Sequence, residues 1–423
     1  MSDGLAARRA AVEMLLEVTG NGRLLADILG DAHGPLAGLD GPDRARAQRL
    51  ATATLRRIHP ADLALAAHVQ REPAPYVLAV LRLAVAELAE RPQDAHGIVS
   101  DAVSLVRGHA KSGPASGFVN AVLRKIAARP PVLETQRLPG WLRAPLVKRF
   151  GKVAVKGIEA AHLAGPMLDL TPKVPEEAAG WAERLGAELL PGGSLRMAPG
   201  VQVSALPGFD SGDWWVQDAA AAVPARVLAV QPGEHVLDMC AAPGGKTMQL
   251  AAAGAQVVAL DASAQRMERV RENLARTGLS ADLVVADALD WQTDQRFDAV
   301  LLDAPCSATG TIRRHPDLPF VKDAGDLAGL VALQSALIDR ALALLKPGGR
   351  LVYCTCSLLP DEGEDQMAAA LARHADLIRD QKAVTGWPGS WDAKGGGLRL
   401  RPDHWAERGG LDGFFIGAMR KAG

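Results

Sequence analysis

The stretch VLDMCAAPGGKT, Val236 to Thr247, decides how this chain is read. Apolar, strand-favouring residues around one aspartate run into a loop of small residues with two adjacent glycines, and KTMQLAAAG then reads as a helix. The order is strand, turn, helix. In an open α/β sheet such a turn lies at the carboxyl end of a strand, where backbone amides and the helix N-terminus approach a ligand that side chains would block.

Three ligand classes use glycine turns of this kind. A dinucleotide fingerprint requires GxGxxG, and AAPGGK lacks that spacing. A phosphate-binding loop requires GxxxxGK[ST]; GGKT supplies its end, but Cys240 stands at the first glycine position. Pro243 is a further misfit, because that loop holds phosphate with amide hydrogens and proline has none. The remaining class is the S-adenosylmethionine loop of Rossmann-like methyltransferases, whose ligand carries no phosphate.

The chain has 423 residues, enough for two or three domains with separate cores. Apolar content of 48% and charged content of 22% are those of an ordinary soluble protein. No apolar run reaches the ~18 residues of a membrane span, and MSDGLAARRAAVEMLLEV reads as an amphipathic helix without a signal-peptide cleavage site, so a cytoplasmic location is expected. Net charge is −1, unevenly spread: residues 1–150 hold 20 Lys+Arg against 14 Asp+Glu, and the remainder 27 against 34. A basic front half suits nucleic acid, although a solvated helical surface gives the same balance. The four cysteines, Cys240, Cys306, Cys354 and Cys356, form no CxxC pair and have no histidine cluster beside them, so no metal is expected.

From the front, helices are expected over Leu5–Val18, Pro42–His59, Pro73–Glu90, His96–Ala110 and Ser116–Ala127, with no strand signal between them. Residues 1–130 thus read as an all-α domain. Preceded by helices of these lengths, SGFVNAVLRK resembles the last helices of the RNA-binding NusB-like fold. Prolines from Pro130 to Pro207 break the next part into short pieces, read as a linker and a small α+β region over 131–211. From residue 212 to 423 strands and helices alternate: HVLDMC, QVVALD, DLVVAD, FDAVLLD and RLVYCTC are separated by helices, which implies a parallel sheet covered on both faces. LDGFFIGAMRK near the C-terminus is expected to add an antiparallel edge pair.

Three of these strands end in aspartate, Asp261, Asp287 and Asp303, along the sheet edge that carries the glycine loop. Asp261 follows the loop at about the separation that meets a ribose hydroxyl pair, and Asp287 would face the adenine. Asp303 opens DAPCSATGTIRRHPD, and the next strand ends in YCTCS. DAPCS, IRRHPD and TCS, with CAAPGGKT and WVQDAA upstream, resemble the signatures of the NOL/NOP/Sun family of RNA cytosine-C5 methyltransferases, over roughly Trp214 to the C-terminus. Together with the NusB-like module, the resemblance implies small-subunit ribosomal RNA as substrate, with a monomer acting on it. The same chemistry on tRNA, or a non-catalytic RNA-binding assembly factor, are the rival readings.

The resemblance also assigns roles. Cys240, Ala241, Ala242, Pro243, Gly244, Gly245 and Lys246 would form the cofactor loop, with Asp261, Arg266, Asp287 and Asp303 as further contacts. Cytosine carbon 5 is too weak a nucleophile to take a methyl group unaided, so a thiolate first adds to carbon 6. In this family the TCS cysteine, here Cys356, attacks, and the PCS cysteine, here Cys306, assists product release. DNA cytosine methyltransferases attack with a PC cysteine, so the pattern alone leaves the choice open. Asp303 would contact the flipped base or the methyl donor, Lys246 would hold that carboxylate or the base, and Cys354 would be packing. Arg313, Arg314 and His315 would grip the RNA backbone, unless the arginines pair with the acidic stretch PDEGED. Leu318, Pro319 and Phe320 stand where family members often carry a lysine and a tryptophan.

Overall fold

The computed structural model describes residues 4–393 and 395–423. They divide into two compact units, one holding the chain up to Ala144 with His162–Ala164 and Arg314–Asp323, the other holding Pro145–Ala161, Gly165–Arg313 and Ala324–Gly423.

The first unit is helical: α1 (Leu5–Asn21), α2 (Leu25–Gly30), α3 (Gly41–Leu55), α4 (Ile58–Ala66), α5 (Pro75–Glu90), α6 (Ala95–Gly108) and α7 (Ser116–Ala128). Helix α5 buries residues on every side, among them Val77, Val80, Leu83, Val85 and Leu88, as a central helix must. Arg8 of α1 is also buried; its guanidinium meets Glu87 of α5 at 2.8 Å and Asp101 of α6 at 2.9 Å. The single helix expected over Pro42–His59 is two. Pro60 lacks an N–H and its ring would clash with the carbonyl four residues back, so the helix stops at Leu55, Arg57 leaves helical geometry (φ −135°, ψ 12°), and Pro60 sits in the first turn of α4. The segment Arg314–Asp323 belongs to this unit too: Leu25 N–H donates to Asp317 Oδ2 (2.8 Å), and Phe320 and Val321 pack on the helical core.

Helix α8 (Gly140–Ala164) is interrupted at Gly151 (φ 85°, ψ 162°). Within the second unit a small antiparallel sheet follows, built from β1 (Leu168–Pro172), β2 (Glu188–Leu189), β3 (Leu195–Met197) and β4 (Trp214–Val216) in the order β2-β3-β1-β4, with helix α9 (Ala178–Leu185). Leu170, Trp181, Leu195 and Trp214 form its core. The sheet overlaps the region read between the prolines over 131–211, but its fourth strand, β4, lies beyond that range and the whole belongs to the second unit.

The main sheet comprises β5 (His235–Met239), β6 (Gln256–Asp261), β7 (Asp282–Val285), β8 (Phe297–Asp303), β9 (Leu345–Thr355), β10 (Leu377–Arg379), β11 (Leu398–Leu400) and β12 (Phe414–Lys421). Its order is β10-β12-β9-β8-β5-β6-β7, with β11 paired to β12. Strands β7, β6, β5, β8 and β9 pair in parallel. Helices α10 (Ala219–Leu228), α11 (Gly245–Ala252), α12 (Ala264–Thr277), α13 (Leu318–Val321), α14 (Leu327–Leu344) and α15 (Glu364–Arg373) complete the chain. Apolar clusters on the sheet pair Leu237, Val300 and Leu351 with α14 residues, and Val236, Leu301 and Ile416 with α10 residues.

Residues 395–423 add the antiparallel pair β11–β12 as expected, and β12 itself is paired on both sides, with β9 on one and with β10 and β11 on the other. Helix α14, 18 residues of mean hydropathy 1.5, is long and apolar enough by length and composition to cross a membrane, but Gln334, Asp339 and Arg340 interrupt it, so it is no unbroken apolar run, and Leu337, Ile338, Ala341 and Leu342 are buried in the sheet's core. The topology places the site. The chain leaves β5 towards β6 and β7 on one side and continues through β8 and β9 on the other, so the carboxyl ends of β5 and β8 flank the switch point where ligands bind in open α/β sheets.

Candidate active site

Val236–Thr247 folds as strand β5, a turn, and the start of α11. Two residues in the turn have positive φ, Cys240 at 62° and Gly244 at 97°. A Cβ on Gly244 would lie 3.1 Å from Val270, and one on Gly245 3.3 Å from Gln217, so the turn is pressed against α12 on one side and the WVQDAA segment on the other. Ala241 and Ala242 are buried, and the Ala242–Pro243 bond is cis. Burial pushes the Cys240 thiol up to about 12, Asp303 and Asp261 adding to it; Cys240 packs against the sheet core as an inert side chain.

Two of the three expected carboxylates end strands. Asp261 ends β6 and is buried; its Oδ2 accepts from Ala242 N–H (3.2 Å) and its Oδ1 from Ser263 N–H (3.0 Å). Arg266 on α12 donates to the Ala242 carbonyl (2.8 Å) and lies 3.2 Å from Asp261 Oδ2, fastening the loop to both. Asp303 ends β8; Lys246 Nζ donates to its Oδ2 at 2.7 Å. Burial works against the Lys246 charge, but Asp303 outweighs it and the lysine pKa is raised. Asp287 is placed differently from its expectation. β7 stops at Val285, leaving Asp287 two residues beyond, exposed, with Oδ1 accepting from Leu289 N–H (2.9 Å).

Sequence reasoning passed over Asp238, inside the opening stretch. It is fully buried in β5; Thr247 Oγ1 donates to its Oδ2 (2.6 Å), and its Oδ1 has no hydrogen-bond partner. Burial pushes its carboxyl up to about 7. Acidic groups at the ends of β5, β6 and β8 around a glycine turn suit a ligand with ribose hydroxyls and positive charge, and the set carries no phosphate cradle.

The two candidate thiols meet. Cys306 follows β8 in DAPCS and Cys356 lies one residue past β9, and their Sγ atoms are 3.4 Å apart. The Cys306 thiol is raised well above its ordinary value, first by the hydrogen bond with Cys356 and then by burial. Cys354 opposes Asp303 in register and is fully buried, with its Sγ 3.5 Å from Asp303 Oδ1; burial, with Asp303 beside it, keeps it a thiol.

Arg313 is a correction. Rather than facing RNA it is completely buried: its Nε donates to Asp412 Oδ1 (2.8 Å), its Nη1 to the Gly409 carbonyl (3.0 Å), and it pairs with Asp218 of WVQDAA. Burial opposes its charge, but Asp218 and Asp412 raise its pKa. Within PDEGED, Glu364 pairs with Arg399 and Arg149, while Glu362, which sequence reasoning did not single out, accepts from serine hydroxyls. Arg314 and His315 are exposed, on the segment that packs with the helical unit. Among the described residues no group of three or more His, Cys, Asp or Glu is arranged to hold a metal ion.

Comparison with known proteins adds to this geometry. The family described as 16S rRNA methyltransferase RsmB/F matches residues 225–420, and the NusB family matches residues 5–128. Ribosomal RNA small subunit methyltransferase B of Xanthomonas campestris pv. campestris is 39% identical over 440 residues, covering 99% of this chain and 98% of that protein. The solved structure of a methyltransferase homolog protein from Pyrococcus horikoshii is 27% identical with a TM-score of 0.55, covering 66% of this chain and 94% of its own. NSun6 from the same organism, solved with SFG, has a TM-score of 0.60 at 21% identity, covers 69% of this chain and 100% of its own, and shows likeness of fold.

Proposed function

The chain belongs to the 16S rRNA methyltransferase RsmB/F family, and from that premise we propose that it methylates carbon 5 of a cytidine in small-subunit ribosomal RNA through a covalent cysteine adduct. It is an S-adenosylmethionine-dependent rRNA methyltransferase by that membership. The observation that carries the finer reading is the pair of sulfurs 3.4 Å apart beside the Lys246–Asp303 pair. S-adenosylmethionine, when bound, supplies the electrophilic methyl group; the loop Cys240–Lys246, with Asp238, Asp261, Arg266, Asp287 and Asp303, would hold it.

Cys356 is the nucleophile. Its thiolate adds to carbon 6 of the base, and the displaced π electrons make carbon 5 nucleophilic. Cys306, whose pKa is raised, keeps its proton and donates a hydrogen bond to the attacking sulfur. Once carbon 5 is methylated, a base takes its proton, the electrons of that C–H bond re-form the ring double bond and the carbon 6–sulfur bond breaks to release the Cys356 thiolate, the step Cys306 assists. Lys246 fixes the Asp303 carboxylate so that it faces the base or the donor. The base must leave its stack to reach these groups, which costs a few kcal/mol and least in a loop or single strand. The helical unit, residues 1–130 with their basic balance, would hold the RNA backbone together with Arg314 and His315. The enzyme works in the cytoplasm, where the subunit is assembled.

The test is transfer of labelled methyl from S-adenosylmethionine to small-subunit rRNA, large-subunit rRNA and tRNA in parallel, with the labelled base mapped. Label in one small-subunit cytidine is expected; label in tRNA alone would overturn the substrate. In the same assay Cys356→Ala is expected to lose turnover and adduct, whereas Cys306→Ala accumulates a gel-stable RNA adduct. The opposite pattern would exchange the two roles.

A further inference from the structure

Cys306 and Cys356 lie on different loops, and each is followed by a serine, Ser307 and Ser357. Both serines turn inward to one carboxylate. Glu362, with no exposed surface, accepts from Ser307 N–H at Oε1 (2.8 Å), and at Oε2 from the hydroxyls of Ser307 (2.5 Å) and Ser357 (2.5 Å). Gln334 Nε2 adds a donor to Oε1 (3.0 Å) and a second to the Pro305 carbonyl (2.9 Å). The Glu362 backbone carbonyl holds the end of β9 as well, accepting from Tyr353 Oη (2.7 Å) and Thr355 Oγ1 (3.0 Å).

We propose that Glu362 is a positioning residue that sets the two reactive thiols in register by tying the residue after each of them to one buried carboxylate; the proposal rests on the adduct chemistry assigned above to Cys306 and Cys356. All the side-chain partners of this carboxylate are neutral. A buried polar group without a charged partner carries a desolvation cost that packing alone would not require. What the group supplies is acceptor capacity: Oε1 takes Ser307 N–H and Gln334 Nε2, and Oε2 takes the hydroxyls of Ser307 and Ser357, so one side chain gathers donors from both cysteine loops. The Ser307 and Ser357 hydroxyl oxygens are also 3.1 Å from each other, so the two loops meet at the serines as well as at the sulfurs.

The experiment uses the full chain and two readouts. The first is the rate at which diamide oxidises Cys306 and Cys356 to a disulfide, mapped by peptide mass; it reads the distance between the thiols without requiring RNA or turnover. The second is methyl transfer, separated into kcat and KM for S-adenosylmethionine. Glu362→Ala is expected to slow disulfide formation at least ~10-fold and to lower kcat ~100-fold while KM for S-adenosylmethionine stays within about twofold, as a misplacement of reacting groups by about 1 Å produces. Glu362→Gln keeps one carbonyl acceptor for Ser307 N–H and an amide to which both hydroxyls can reorient, so it should recover both rates to within ~10-fold of the natural chain.

Natural rates in a folded Glu362→Ala variant would overturn the proposal. Should that variant lack a cooperative melt, the double variant Ser307→Ala/Ser357→Ala removes the two hydroxyl donors and leaves the carboxylate; an unchanged disulfide rate there would overturn it equally. Slower disulfide formation in Glu362→Ala, together with no RNA adduct in either Cys306→Ala or Cys356→Ala, would leave the positioning intact and overturn the adduct chemistry instead.

Discussion

Asp238 shows how far a single side chain departs from what its letter suggests. In the sequence it is one aspartate in an apolar strand; in the fold it is a fully buried carboxyl, raised to about 7, with one oxygen unmatched. A carboxyl raised in the folded state keeps a proton that the unfolded chain has already lost. Its contribution to stability therefore declines as pH rises from the ordinary aspartate value to about 7, and is constant above that. Asp238→Asn keeps the acceptor for Thr247 and removes this dependence. The variant should melt higher than the natural chain at pH 8, with the difference vanishing near pH 4, and should bind S-adenosylmethionine more weakly. Melting curves across pH, with calorimetry of cofactor binding, would check it; an unaltered slope between those limits would count against the burial argument.

Among the elements, the loop after β8 depends on contacts that no periodicity encodes. Gly310 N–H donates to the Cys356 carbonyl (2.9 Å), and the Gly310 carbonyl accepts from Gly413 N–H (2.8 Å), so three chain segments meet at a residue without a side chain. A Cβ there would fall 2.1 Å from the Gly413 oxygen and 2.8 Å from that of Cys356. Gly310→Ala should push Cys356 out of place and lower kcat ~100-fold, with cofactor affinity kept because the turn at Cys240–Gly245 is untouched. Methyl transfer beside calorimetric titration separates the two. Helix and strand periods placed α5, α6, α7, β5, β6 and β8 nearly correctly, since each is a local pattern of burial. The position of β12 between β9 and β10 is a pairing across the chain, for which alternation along LDGFFIGAMRK carries no signal.

For the whole molecule, Arg313 and the helical arginines separate stability from RNA binding. Arg313→Ala leaves Asp218 and Asp412 buried without their cation, a loss of about 3–5 kcal/mol and a fall in Tm of roughly 10 °C. Were it instead an RNA contact, Tm would hold and RNA affinity alone would fall. The converse holds in the helical unit, where a groove of ≈ 580 Å³ between α6 and α7 is lined by His96, Arg107, Asn120 and Arg124 among others, with no carboxylate. Arg107 and Arg124 are exposed and unpaired with any acid among the described residues. Arg107→Ala/Arg124→Ala should leave Tm unchanged and reduce the slope of log K for RNA against log salt by about 2. Filter binding at several salt concentrations is the check.

By itself the sequence determined what is local: a glycine turn with the wrong spacing for a dinucleotide, an all-α front part, alternating strands and helices behind it, and two cysteines each in its own short motif. These were legible because glycine spacing and hydrophobic period are properties of neighbouring residues. Only the tertiary structure decided that Cys306 and Cys356 touch, that Arg313 is an internal ion pair although it stands in a basic run beside Arg314, and that Glu362 in an acidic stretch faces serines and not arginines. Those facts depend on which distant segments the sheet brings together and on how much water remains around each charge, and neither quantity is written in the order of residues along the chain.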